Sequence, residues 1–436
     1  MTLAISRLKA GSIDKENGRF GASRGEKMSQ RFVVRATGPA RPGQTAALGT
    51  ALVSANCRLL DLSQHVAFGE VTLEVLVETA DDLGAMLPTA GDVFGLDCRV
   101  EKVSAESEAL WADVAKDSRW VLTLMAPAVS AEVMAEVGAL TAEQGLVIER
   151  VKRLSAEARL DAATSPSSRG ACLEWRLSGP VADSQSLREK ILALSERFGV
   201  DVALQSADLW RRHRRLICFD MDSTLIQAEV IDELARRHGV YEEVAAVTER
   251  AMRGELDFQQ SFRERMSKLE GLDESVLAEI AESLPLMPGL ERLMRYLKRL
   301  GYRTAILSGG FTYFARYLQE RLGFDEIHAN ELVVRDGKVT GEVQEPIMDA
   351  ERKAMMLKQI AEREGWDLAQ TVAVGDGAND LKMLSVAGMG VAFHAKPVVR
   401  RQAQQAVSNG GLDGLLYLLG YSETDLAALS TDGEDS

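Results

Sequence analysis

The chain has 436 residues, is 46% hydrophobic and carries a formal net charge of −14. That length leaves room for two or three domains, and the negative balance excludes nucleic acid as the main partner. No apolar run reaches the ~18–20 residues of a membrane span. Cys57, Cys98, Cys172 and Cys218 are scattered without CxxC spacing, which fits buried thiols in a reducing cytoplasm.

Residues 1–29 are polar and Gly/Ser-rich, with no apolar core of a signal peptide, and read as a disordered extension. Met28 is an alternative start, which mass spectrometry of the native N-terminus would decide. Arg31 to Thr37 alternates as a strand, Gly38 to Thr45 breaks it, and Ala46 to Asn56 has helical spacing. Arg58 to Phe68 and Val71 to Glu78 read as a hairpin across Gly69-Glu70. A helix near Asp81 to Phe94 and a strand near Leu96 to Val103 complete a β-α-β-β-α-β unit over residues 30–105, the split ferredoxin-like arrangement.

The pattern returns over residues 117–207. Strands are expected at Trp120 to Met125, Leu146 to Leu154, Cys172 to Leu177 and Val200 to Gln205, with helices at Ala131 to Gln144 and Ser184 to Phe198. Ala156 to Gly170 is a Ser- and Ala-rich loop. A spacing of about 90 residues suggests duplication. Leu209 to Arg215 (LWRRHRR) reads as a solvated basic linker.

The remaining chain, 213–420, alternates strand and helix, the pattern of a Rossmann-like doubly wound parallel sheet, class α/β. Its first strand, Leu216 to Phe219, stops at Asp220-Met221-Asp222-Ser223-Thr224. Ligands of such sheets sit beyond the carboxyl ends of strands. Two carboxylates there are costly unless a cation or a reaction uses them; a solvated loop is the alternative. Four helical stretches then fill about 227–285, a cap over the acidic strand end. The strand from Tyr302 should end at Ser308-Gly309-Gly310, and the strand from Thr371 at Gly375-Asp376-Gly377-Ala378-Asn379-Asp380. Lys353 opens a helix between them. Residues 421–436 read as a disordered acidic tail.

The order DMDST, LSGG, a lone Lys and GDGAND resembles the haloacid dehalogenase superfamily of phosphatases, over Leu216 to about Leu419. The cap sequence, Glu229 followed by AMRGELDFQQSFRERM (Ala251 to Met266), resembles that of the phosphoserine phosphatases. The two first-half modules, with GPARPGQT after the first strand, resemble the ACT family of amino-acid-binding regulatory modules.

The resemblance implies roles. Asp220 is the nucleophile and Asp222 the proton donor and acceptor, with Mg2+ held by the Asp220 carboxylate, the Asp222 carbonyl and Asp376. Asp380 orients that shell and Asn379 helps to position substrate or metal water. Ser308, the Gly309 amide and Lys353 would bind the phosphoryl group. From the cap, Glu229 would meet an ammonium, Arg265 a carboxylate, and Met252 and Phe258 an apolar wall. On the residues alone, Ser308 also fits a helix N-cap, and Lys353 reads as an exposed helix lysine. Without the resemblance, Glu229 and Arg265 read as a solvated face, and Met252 and Phe258 as ordinary cap core. The implied activity is hydrolysis of O-phospho-L-serine in serine biosynthesis, with L-serine as effector at Gly38, Arg41, Gly43 and Thr45 and a cytoplasmic homodimer. A phosphatase or phosphotransferase for another small phosphoester, or a catalytically silent serine-binding protein, remain alternatives.

Overall fold

The computed structural model describes residues 29–81, 83, 95–108, 119–156, 170–181 and 183–429. Expectations for the N-terminal extension, the helix near 81–94, the loop at 157–169 and the last residues of the tail lie outside them. The chain divides into two compact units, Met1–Ala115 and Lys116–Ser436.

In the first unit, β1 (Gln30–Pro39), α1 (Gln44–Ser54), β2 (Arg58–Ala67), β3 (Glu70–Thr79) and β4 (Asp97–Lys102) form an antiparallel sheet of order β2-β3-β1-β4. The period of two sorts the side chains. Phe32, Val34 and Ala36 meet Val71, Leu73, Val75 and Val77 in the core, while Arg35 pairs with Glu74 on the other face at 3.0 Å. Phe68 and Gly69 are both left-handed, at φ 53° and 80°, as a tight two-residue hairpin requires.

The second unit opens with β5 (Arg119–Ala126), α2 (Ala131–Glu143), β6 (Val147–Arg153), β7 (Ala171–Ser178), α3 (Ser184–Phe198) and β8 (Asp201–Ser206), in the equivalent order β6-β7-β5-β8. Ser130 and Asp183 cap the two helices through their side chains. The helices cover Leu122, Leu124, Trp175 and Leu177 on one sheet face. Part of the opposite face is covered as well: Met125, Cys172 and Ala203 join the core of the C-terminal domain.

That contact overturns the reading of LWRRHRR as a solvated linker. Arg211 is buried, its Nη1 lying 2.6 Å from Glu174 Oε2. It also donates to the carbonyls of Leu418 and Tyr417. Arg214 is buried as well. Arg211 serves as a rivet between module and domain, a role that composition cannot distinguish from solvation.

The C-terminal sheet is parallel, of order β11-β10-β9-β14-β15-β16. Its strands are β9 (Leu216–Phe219), β10 (Arg303–Phe311), β11 (Glu326–Asn330), β14 (Thr371–Gly375), β15 (Met389–Phe393) and β16 (Gln405–Val407). Helices α4 (Val230–His238), α5 (Tyr241–Met252), α6 (Phe258–Ser267) and α7 (Ser275–Ser283) form the cap. Then come α8 (Leu290–Arg299), α9 (Thr312–Leu322), α10 (Ala350–Arg363), α11 (Leu381–Val386), α12 (Pro397–Gln402), α13 (Leu415–Leu418) and α14 (Glu423–Ala427). The hairpin β12 (Leu332–Arg335) and β13 (Lys338–Val343) packs against α6, adding a β element to the cap. Among the described residues no helix is long and apolar enough to cross a membrane.

Two further expectations change. The β10 strand does not stop at Ser308 but runs on to Phe311, with its pairing to β11 shifting between Leu307 and Phe311. The tail is ordered at least to Leu429. Ser422 and Asp425 form a capping box that starts α14, and Leu426 is fully buried. One apolar residue at the right helical position outweighed the acidic composition around it.

Candidate active site

Strand β9 is wholly buried between β10 and β14, so its carboxyl end opens where the chain has switched direction across the sheet. The Asp220 amide donates to the Val374 carbonyl at 2.9 Å, which extends the ladder one residue past β9. Asp220 is 4% exposed.

Lys353 lies directly beneath. It is fully buried, with Nζ 2.8 Å from Asp220 Oδ1 and 2.7 Å from Asp380 Oδ1. Burial lowers its ammonium, but Asp220 and Asp380 outweigh that and hold it above its ordinary value. It is not an exposed helix lysine. Its helix begins at Asp349, whose Oδ1 accepts from the Arg352 amide at 3.0 Å while Oδ2 accepts from Gln259 of the cap at 2.8 Å.

Oxygens of Asp220, Asp376 and Asp380 lie within 4.8 Å of one another. Burial, then Asp220, Asp380 and Glu229, push the Asp376 carboxyl up to about 7, although Thr224 donates to it. Burial and Asp220 raise Asp380 to about 6, against Lys353 and the Gly377 amide. Like charges held this close in low dielectric are strained, and a hard cation with oxygen ligands would relieve them. The donor set therefore fits a divalent cation of that kind. Asp222 adds no carboxylate to the cluster; the expectation for it concerns its carbonyl. Asp380 lies within the cluster, but its oxygens already meet Lys353 and the Gly377 amide.

Asp222 is held apart from these. Burial, then Glu229 and Asp220, raise its carboxyl well above the ordinary range.

Ser308 is buried inside β10, with its Oγ accepting from the Gly310 amide at 2.9 Å. It does not cap α9, whose N-cap is Phe311. A side chain at Gly310 would put Cβ 2.8 Å from Asp222 Oδ2. Asn330 holds the turn from behind: its Nδ2 donates to the Gly309 carbonyl at 2.8 Å and its Oδ1 accepts from the Met348 amide at 2.7 Å.

Above this floor lies a cavity of about 740 Å³, lined from the sheet by Asp220, Asp222, Ser308, Gly309, Asp376 and Asn379. From the cap come Glu229, Met252, Phe258 and Arg265. Lys353 and Asp380 lie below it. Glu229 accepts from Ser223 Oγ at 2.9 Å, and burial raises its carboxyl. Arg265 is pushed down by burial, opposed by Glu229, Asp232 and Asp222, and its Nε is buried without a hydrogen-bond partner among the described residues. Phe258 stacks on Phe262, with ring centroids 6.2 Å apart, and its ring covers Gly309. Met252 is 70% exposed. It stands at the mouth and closes no wall in this arrangement.

The proposed effector residues meet around the β1–α1 turn of the first unit. Gly38 has no room for a Cβ against the Gly95 carbonyl, and Gly43 is left-handed at φ 93°. The Arg41 amide donates to Gln44 Oε1 at 2.8 Å. Thr45 Oγ1 donates to Gln64 at 2.6 Å, so this hydroxyl is already engaged.

Sequence reasoning missed Thr224, Asn330, Gly310 and the Gln259–Asp349 latch. Gly310 was visible as the second glycine of its pair. Asn330 gave no local signal, because its partners are brought to it from β10 and the start of α10.

The model of haloacid dehalogenase-like hydrolases matches residues 217–385, and that of the ACT domain residues 30–101. A phosphoserine phosphatase of Streptomyces coelicolor is 40% identical over 93% of this chain and 95% of its own length. One of Mycobacterium tuberculosis is 37% identical over 91% and 94% respectively. The crystal structure of a probable phosphoserine phosphatase from Vibrio cholerae superposes with a TM-score of 0.55 at 36% identity, over 72% of this chain and 90% of that one. The chain thus belongs to the phosphoserine phosphatase family of haloacid dehalogenase-like hydrolases, enzymes here preceded by an ACT domain.

Proposed function

We propose that the chain hydrolyses O-phospho-L-serine to L-serine and phosphate through an aspartyl-phosphate on Asp220. The observation that carries this is convergence: groups distant in sequence line one cavity whose cap offers a carboxylate and a guanidinium to an amino acid. An Asp220 oxygen attacks phosphorus, and the bond to the serine oxygen breaks as Asp222 gives that oxygen its proton. Asp222 then takes a proton from water, which attacks the phosphoaspartyl group and releases phosphate and free Asp220.

Lys353 holds the Asp220 carboxylate in place and offsets phosphoryl charge from below. Ser308 and the Gly309 amide donate to phosphoryl oxygens, and Asn379 positions the substrate. Asp220, the Asp222 carbonyl and Asp376 would hold Mg2+, with Asp380 behind them; when bound, the ion supplies charge neutralisation and orientation to the phosphate. Glu229 pairs with the substrate ammonium and Arg265 forks onto its carboxylate. Met252 reaches the wall opposite Phe258 when the cap closes, and excludes water.

The reaction ends a route to L-serine in the cytoplasm. Serine itself, bound around Gly38, Arg41, Gly43 and Thr45 in a homodimer, is the feedback signal. Phosphate release from phosphoserine and from phosphoethanolamine, which lacks the carboxylate, tests the substrate reading. Selectivity for phosphoserine that vanishes in Arg265→Ala supports it, whereas equal rates on both esters in the unaltered protein would discard it.

A further inference from the structure

Outside the catalytic cavity, the second unit holds a smaller cleft of about 140 Å³ where α3 of the module faces α12 and β16 of the catalytic domain. Its walls are of two kinds. Leu187, Ile191 and Leu204 on the module side and Ala403 opposite make an apolar floor. Arg188 and Arg400 bring guanidinium groups from opposite walls.

Neither cation is fully matched. Arg400 lies 3.0 Å from Glu196 through Nη2, and the side chain is 17% exposed. Its Nε, however, is buried and makes no hydrogen bond. A buried donor left unmade is costly, and more so when charged. Arg188 has no ion pair or hydrogen-bond partner among the described residues, and is half-buried. Asp201 also lines the cleft, but its oxygens already accept from the amides of Ser408, Asn409 and Gly410. Its charge still repels a dianion, so the balance of the cleft favours a single negative charge.

We propose that this cleft is a binding site for a small organic monoanion, a carboxylate with a short apolar tail. The carboxylate bridges Arg188 and Arg400 Nε, and the tail lies on Leu187, Ile191 and Ala403. The site is separate from the catalytic cavity. Its far wall connects to catalysis: α12 carries Arg400, and Lys396 at its N-cap lines the catalytic cavity. The proposal does not rest on phosphoserine being the substrate.

Butyrate on the full chain is the probe, followed by saturation-transfer proton NMR, with the uncharged isostere butyramide beside it. Butyrate should bind with a Kd on the order of 1 mM, and butyramide ~10-fold more weakly. Arg188→Gln and Arg400→Gln, altering opposite walls, should each weaken butyrate by ~10-fold, and Arg188→Lys should recover most of the loss. Saturating inorganic phosphate should not displace it. Displacement by phosphate, equal binding of butyramide, or unchanged binding in both glutamine variants would each overturn the proposal.

Discussion

At the scale of single residues, the site divides its carboxylates by environment. Asp220 shares Lys353 with Asp380, whereas Asp222 faces Glu229 with no cation in contact. In the proposed mechanism the first is the nucleophile and the second the proton carrier. Asp220→Asn should lower kcat by about 10⁴-fold or more and abolish trapping of a phosphoenzyme. Asp222→Asn should lower kcat by about 10²–10⁴-fold while some acyl-phosphate still forms with an activated ester. Trapped phosphoenzyme in the Asp220 variant would rule out the covalent route. The acidic cluster also sets a pH dependence. Asp376 titrates near 7 when folded against 3.8 as a free carboxyl. A carboxyl raised by folding stabilises fully below its unfolded value, and that stability drains away as pH climbs through the folded one. Chelator-treated protein should thus fall in Tm between pH 3.8 and about 7. The fall should shrink in Asp376→Asn, and Mg2+ should raise Tm at neutral pH. A flat Tm across that window, or no response to Mg2+, contradicts the cluster as described. The acidic pair and GDGAND were legible in the sequence because each sits at a strand end, and LSGG by its glycine pair, although it lies inside β10. The burial of Lys353 was not, since helical spacing is the same for exposed and buried lysines.

At the scale of elements, the end of β10 fits beside the acidic pair because nothing projects from Gly310. Gly310→Ala would place Cβ against Asp222 and Met221. The expected result is an unchanged circular dichroism spectrum with kcat reduced at least ~10-fold, since small misplacements of reacting groups are costly. Helix α10 is fixed at its first turn by Asp349, which also holds the cap through Gln259. Asp349→Ala should cost about 1 kcal/mol of stability through the lost cap and raise KM. Asp349→Asn should recover the stability. Equal destabilisation by both substitutions would remove the capping role. Many helices and strands of the catalytic domain were readable from periodicity, but β10 runs on to Phe311 and α10 begins at Ala350, ahead of Lys353. The placing of the β12–β13 hairpin in the cap was not readable, because its packing on α6 is a long-range contact.

At the scale of the whole second unit, the module spanning β5 to β8 is joined to the catalytic domain as a body domain joins its own core. Met125, Cys172 and Ala203 share a cluster with Ile217, Leu416 and Leu418. Arg211 and Glu174 form an ion pair with side chains only 9% and 7% exposed. Removing one partner of such a pair costs about 3–5 kcal/mol, so Arg211→Ala should unfold at distinctly lower denaturant. Arg35→Ala in the first unit breaks only exposed pairs and should cost about 0–1 kcal/mol. Similar losses in both would mean that the module is only loosely attached. Composition hid this joint, since the linker reads as soluble and the module as free-standing.

The same joint governs how the protein behaves when cut. Strand β16 ends the parallel sheet and β8 ends the module's antiparallel one. They lie side by side, with Gln405 reaching the Leu204 carbonyl at 2.8 Å. Each conceals the other's raw margin, where unpaired peptide groups would otherwise recruit strands from neighbouring molecules. A catalytic domain released by proteolysis ahead of Leu216 would bare its margin and the apolar face behind it. It should self-associate and precipitate at concentrations where the intact chain stays dispersed.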